Sequence, residues 1–98
     1  MHCTDPKIQD LNDLRDYVYR TLCHQNDFEV GAFDLTERYL VRSGDPCGIY
    51  FCLHGPRSVR LTAIWETEGN TIRFYSATGE RLLKTKLTQT VGVSLAAA

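Results

Sequence analysis

The chain has 98 residues, enough for one hydrophobic core and too few for two. Its hydrophobic fraction of 43% and charged fraction of 23% are those of a folded globular protein and exclude a disordered one. The net charge of −1 argues against a protein that coats nucleic acid, and no apolar run approaches the ~20 residues needed to cross a bilayer.

That charge is unevenly spread. Residues 1–37 hold eight acids against three bases, and residues 38–98 hold eight bases against four acids. Two readings follow: an acidic helix lying on a mildly basic sheet, and a basic face that meets an anionic partner. The opening Met1-His2-Cys3-Thr4-Asp5-Pro6 does not lead into the basic segment and apolar stretch of an export signal, so a cytoplasmic protein without membrane contact is expected. Cys3, Cys23, Cys47 and Cys52 are then expected to be reduced thiols. Cys47 and Cys52 lie at odd separation along one strand, hence on opposite faces, which argues against a bridge.

From Pro6 to about His24 the apolar residues Ile8, Leu11, Leu14, Val18 and Leu22 recur at intervals of three and four, which predicts a helix over 6–24. Asp5 at the N-cap and Pro6 at the first helical position suit its start, and Asp10 or Asn12 gives a later one. Residues 28–38 show no winning period. Residues 36–42 read as a short strand, closed by the turn signal Ser43-Gly44-Asp45-Pro46.

An antiparallel meander follows, with strands over 48–54, 59–67, 71–77 and 80–88. Directly opposed residues share a face, so loop length decides which side chains meet. A three-residue loop Gly55-Pro56-Arg57 pairs Leu53 with Val59 and Phe51 with Leu61. A two-residue turn Gly69-Asn70 pairs Trp65 with Phe74, and Thr78-Gly79 pairs Phe74 with Leu83. These turns put Ile49, Phe51, Leu53, Val59, Leu61, Ala63, Trp65, Ile72, Phe74, Leu83 and Leu87 on one face. The fold class expected is α+β: an N-terminal helix packed on a four- to five-stranded antiparallel meander in a single two-layer domain spanning 1–98. The uncharged tail 91–98 is expected to fray or to dock on the sheet edge.

The opposite face carries Tyr50, Cys52, His54, Arg60, Thr62, Arg73 and Tyr75, the candidate binding residues. The same arithmetic sets Tyr50 against Thr62, Cys52 against Arg60, His54 against Ser58 and Glu66 against Arg73. Several chemistries compete for this face. Cys23, His24, Cys47, Cys52 and His54 are zinc-ligand types, but they lack the paired spacing of a structural site, so neither metal nor cofactor is expected. Cys52 and His54 share a face with Arg60 nearby, the outline of a cysteine enzyme. Their side chains stand ~6–7 Å apart along the strand, however, and nothing evident orients the histidine, which leans against catalysis. Tyr50 and Tyr75 with Arg60, Arg73, Lys84 and Lys86 are the ingredients of a single-stranded nucleic-acid or other anion-binding face, with few aromatics for the purpose.

Two resemblances add to this. Tyr39-Leu40-Val41-Arg42-Ser43-Gly44, followed by the strand Gly48–Leu53 and the hairpin from Val59 to Tyr75, resembles the central strands of SH2 domains, which implies a phosphotyrosine-binding role for Arg42. The basic histidine of that family's following hairpin and its second helix are missing. The longer run from Cys47 to Trp65, with Phe74-Tyr75 and Thr78-Gly79-Glu80-Arg81, is similar to a family of small uncharacterised bacterial proteins, a likeness that implies no activity, ligand or catalytic residue. The leading expectation is therefore a non-catalytic binding or protein-interaction module acting through the mixed face. Self-association is a further expectation, because Ile64, Tyr75 and Leu82 add apolar area. The rival from another class is the enzyme centred on Cys52.

Overall fold

The computed structural model describes Ile8 and residues 10–87. Helix α1 runs from Leu11 to Gln25, and its N-cap is Asp10, whose extended backbone (φ −142°, ψ −179°) lets its carboxylate accept the Asp13 N–H at 2.9 Å. The start is thus the later one; Ile8 is buried but lies outside the helix, and Asp5 and Pro6 fall outside the described residues. At the other end the Asn26 amide donates to the Leu22 carbonyl, and Asp27 turns the chain through left-handed backbone (φ 56°). One stripe of the helix, Leu14, Val18 and Leu22 with Cys23 beside it, is buried.

Of residues 28–38, which show no winning period, 28–33 form a connection pinned from the helix and the rest enter a strand. The Tyr19 hydroxyl donates to the Phe33 carbonyl at 2.6 Å and accepts the Gly31 N–H at 2.8 Å, while Phe28 and Phe33 pack as a tilted pair with centroids 5.0 Å apart against the core. Five strands follow: β1 Asp34–Arg42, β2 Asp45–His54, β3 Arg60–Glu66, β4 Thr71–Tyr75 and β5 Arg81–Lys86. They form one antiparallel sheet in chain order, with β1 and β5 at its edges, and α1 packs over β2 and β3. The fold is α+β in two layers, with the 36–42 segment a full fifth strand. The tail 91–98 lies outside the described residues.

Two of the three meander registers differ from the expected ones, each by two residues. Leu53 pairs with Leu61 and Phe51 with Ala63; Trp65 pairs with Ile72 and Ala63 with Phe74. The cause lies in the turns. Residues 55–59 close a longer loop, in which the Gly55 N–H donates to the Val59 carbonyl at 2.8 Å and Arg57 and Ser58 both adopt left-handed backbone (φ 57° and 64°). The β3–β4 turn spans Thr67–Asn70, where the Asn70 N–H donates to the Thr67 carbonyl and the Asn70 side chain accepts the Trp65 Nε1–H at 3.0 Å. Satisfying the one indole N–H in the core thereby sets the turn. The third register is the expected one, Phe74 with Leu83 and Ile72 with Thr85, completed by a bulge after Phe74.

A slip of two keeps side-chain parity, so the core face survives it: Ile49, Phe51, Leu53, Leu61, Ala63, Trp65, Ile72, Phe74 and Leu87 are buried with the helix stripe and Ile8. Two expected members are not. Val59 sits in the loop, half-buried, and Leu83 is 36% exposed because it lies on edge strand β5, beyond the strands that α1 covers. A bidentate ion pair from Arg15 of α1 to Glu37 of β1, at 2.6 and 2.8 Å, ties the helix to the opposite edge.

Candidate functional site

Among the described residues no element covers the sheet face opposite α1; the segment 25–46 supplies β1 rather than a lid. Toward its β1 side lies a depression of about 390 Å³ bordered by Thr36, Glu37 and Arg38 of β1, Tyr50, Cys52 and His54 of β2, and Arg60 of β3. The pairings give it an ordered grid. Arg38 lies opposite Tyr50, Thr36 opposite Cys52, and His54 opposite Arg60, with Thr62 on the far side of Cys52. The Glu37 carboxylates point to Arg15 on the helix side, leaving Arg38 and Arg60 as the charged side chains of the rim.

Each polar group of the depression is held by a neighbouring strand. The Arg38 guanidinium rests 5.5 Å from the centre of the Tyr50 ring, a cation–π contact that holds a planar cation over a planar ring. The Thr36 hydroxyl is 2.9 Å from His54 Nε2 and 3.5 Å from the Cys52 carbonyl, bridging the two strands. His54 is therefore hydrogen-bonded to β1, not to the thiol two residues before it. Cys52 is only 8% exposed; burial pushes its thiol above the ordinary value of 9.0, and the nearby Arg60 charge only partly opposes that. A protonated, recessed thiol with no base in contact is a poor nucleophile at neutral pH.

Of the expected contact residues, Tyr50, Cys52, His54 and Arg60 meet in the depression. Thr62, Arg73 and Tyr75 share the face but lie toward β4, where Arg73 forms an ion pair with Glu66. The expected partner of Cys52 is corrected from Arg60 to Thr62, and that of His54 from Ser58 to Arg60, by the longer Gly55–Val59 loop. Glu66 stands directly opposite Thr71 rather than Arg73 and reaches the arginine diagonally. Thr36 and Arg38 were not anticipated. The Ser43-Gly44 turn alone would set Cys52 against Leu35, but a bulge between Leu40 and Val41 leaves Cys47 as an extra residue on β2 and rotates Thr36 and Arg38 onto the open face.

The zinc-type residues do not converge. Cys23 and His24 end α1 in the other layer, and no group of three or more His, Cys, Asp or Glu side chains able to hold a metal occurs among the described residues. Cys23, Cys47 and Cys52 are free thiols, and Cys3 lies outside the described residues. Arg42, the residue of the SH2-like tetrapeptide, is exposed at the far end of β1 opposite Asp45, away from the depression. Exposed apolar side chains mark both sheet edges, Val41 on β1 and Leu82 with Leu83 on β5. Among the described residues no helix is long and apolar enough to cross a membrane. No family model, curated protein or solved structure matches the chain.

Proposed function

We propose that this chain is a non-catalytic binding module that presents the open face of its sheet to an anionic partner. The observation that carries this reading is the segregation of charge between the two layers. Arg38, Arg60, Lys84 and Lys86 stand on the open face without an ion pair among the described residues, with Asp34, Asp45 opposite Arg42, and the Glu66 already joined to Arg73 as the acids of that face. In the other layer Asp10, Asp13 and Asp16 stand with Arg15 and Arg20 on α1, and both arginines are already paired, with Glu37 and Asp16. Like charges gathered on an uncovered face raise the local potential and attract anions, an effect that salt weakens. The rival, a cysteine enzyme, requires an ionisable thiol in contact with a base, and the surroundings of Cys52 support neither requirement.

Titration with inorganic polyphosphate and with polyglutamate, at about 50 and 200 mM salt, tests the reading. Binding of at least one probe, weaker at the higher salt and lost in the double variant Arg38→Glu/Arg60→Glu, is expected. Absence of a salt-sensitive signal from both probes would end it.

A further inference from the structure

We infer that the anionic partner of the open face is single-stranded nucleic acid, laid across the strands from β1 to β5; this deepens the anion-binding reading and rests on it. Three features favour a polynucleotide over an acidic protein. The unpaired cations do not cluster at one corner but stand at both edges and on the central strand: Arg38 on β1, Arg60 on β3, and Lys84 and Lys86 on β5. Four interstrand gaps of ~4.8 Å make that track roughly 19 Å wide, the reach of a short run of backbone phosphates.

Aromatic rings interleave with the cations. Tyr50 on β2 and Tyr75 on β4 are half-buried, share the open face and flank β3, through Ile64 and Thr62 respectively. Two strand gaps and a two-residue offset set their backbones about 12 Å apart. Tyr50 is already topped by the Arg38 guanidinium, and such a guanidinium plane is itself a stacking surface for a base.

The depression, on the β1–β3 side of the face, is wrong for an apolar protein anchor, although Ile64 beside Tyr50 adds some apolar area on the central strand. Protein interfaces are organised around desolvated apolar anchors. Here the floor of the depression is a recessed thiol, with the Thr36 and Thr62 hydroxyls and the His54 imidazole around it. Those groups suit hydrogen bonds to base edges and sugars rather than an aliphatic plug. The overall charge of −1 is no obstacle, since Asp10, Asp13, Asp16 and Glu37 lie on the helix side of the sheet against Arg15 and Arg20, leaving the excess of bases on the open face.

Fluorescence anisotropy with a labelled eight-nucleotide oligouridine tests the inference, and unlabelled polyglutamate serves as competitor. Contacts from Arg38, Arg60, Lys84 and Lys86 predict a log–log salt slope of about −3, so that binding weakens roughly 50-fold between about 50 and 200 mM salt. Replacing Arg60 with glutamine should flatten the slope by ~0.7. Tyr50→Ala should weaken binding roughly 5- to 150-fold with the slope kept, the signature of a lost stacking contact. Should Tyr50→Ala fail to fold, Tyr75→Ala supplies the same readout.

An oligouridine that does not bind at low salt overturns the inference. So does polyglutamate competing as well as unlabelled oligouridine while the tyrosine variants bind like the parent; the face would then take an acidic protein and the anion-binding reading would stand. Failure of every anionic probe would remove both.

Discussion

Phe51 and Tyr50 are neighbours in the chain and belong to different environments. Phe51 is fully buried under α1, while Tyr50 lies on the uncovered face beneath a guanidinium. The core face depends only on parity, and apolar residues anywhere along it are interchangeable partners within the limits of packing. The open face depends on register, because what Cys52 or His54 can do is decided by which single residue stands opposite. A two-residue slip leaves the first face intact and rewrites the second.

The contrast predicts unequal costs for equal truncations. Phe51→Ala should destabilise the fold by ~3–5 kcal/mol through lost burial and the cavity left behind. Thr62→Ala, one strand away on the open face, should stay within about 0.5 kcal/mol. Urea denaturation of both variants measures the gap. A loss at Thr62 comparable with that at Phe51 would mean the open face is buried in solution, by a second copy or by residues outside those described.

The same contrast explains what was legible beforehand. Alternation along Ile49–Leu53, Leu61–Trp65 and Ile72–Phe74 marks the core face, because every second residue there is apolar whichever turn joins the strands. Turn lengths were not legible. Left-handed backbone at Arg57, Ser58 and Asn70 carries no glycine signature, and Gly69-Asn70 reads as a two-residue hairpin turn until Trp65 claims the Asn70 side chain. The site was half legible. Tyr50, Cys52, His54 and Arg60 follow from parity, whereas Thr36 and Arg38 depend on the unpaired Cys47, a bulge set by tertiary contact. The Cys47 carbonyl accepts the Thr67 N–H from the end of β3, and at Gly48 a Cβ would run into the Trp65 carbonyl.

Asn70 offers a smaller and more pointed test, since it sits where the two faces' rules meet. Asn70→Ala removes the acceptor for a buried indole N–H and places a residue less tolerant of left-handed backbone at φ 47°. A loss of ~1–3 kcal/mol is expected, with an altered tryptophan emission spectrum reporting the unsatisfied ring. Unchanged stability and emission would show that another group sets the Thr67–Asn70 turn.

The two buried thiols give the smallest effect and the closest comparison, Cys23 on α1 and Cys52 on the open side of β2. Burial raises the Cys23 thiol above its ordinary 9.0 with nothing opposing it; burial also raises Cys52, against the pull of Arg60. A thiol that ionises at higher pH when folded loses protons first in the unfolded chain. Its stabilising contribution is therefore whole below about pH 8.5 and drains away as pH climbs through the folded value. Cys23→Ala should flatten the alkaline loss of stability between pH 8 and 10 relative to the parent. At Cys52 the charge can be removed without touching the thiol: Arg60→Gln leaves burial unopposed, so the thiolate fraction falls. Iodoacetamide labelling of Cys52 at pH 8.5, followed by peptide mapping, should be slower than in the parent. A faster rate would mean that Arg60 shields the thiol sterically more than it ionises it, and that the depression's floor is governed by access rather than by charge.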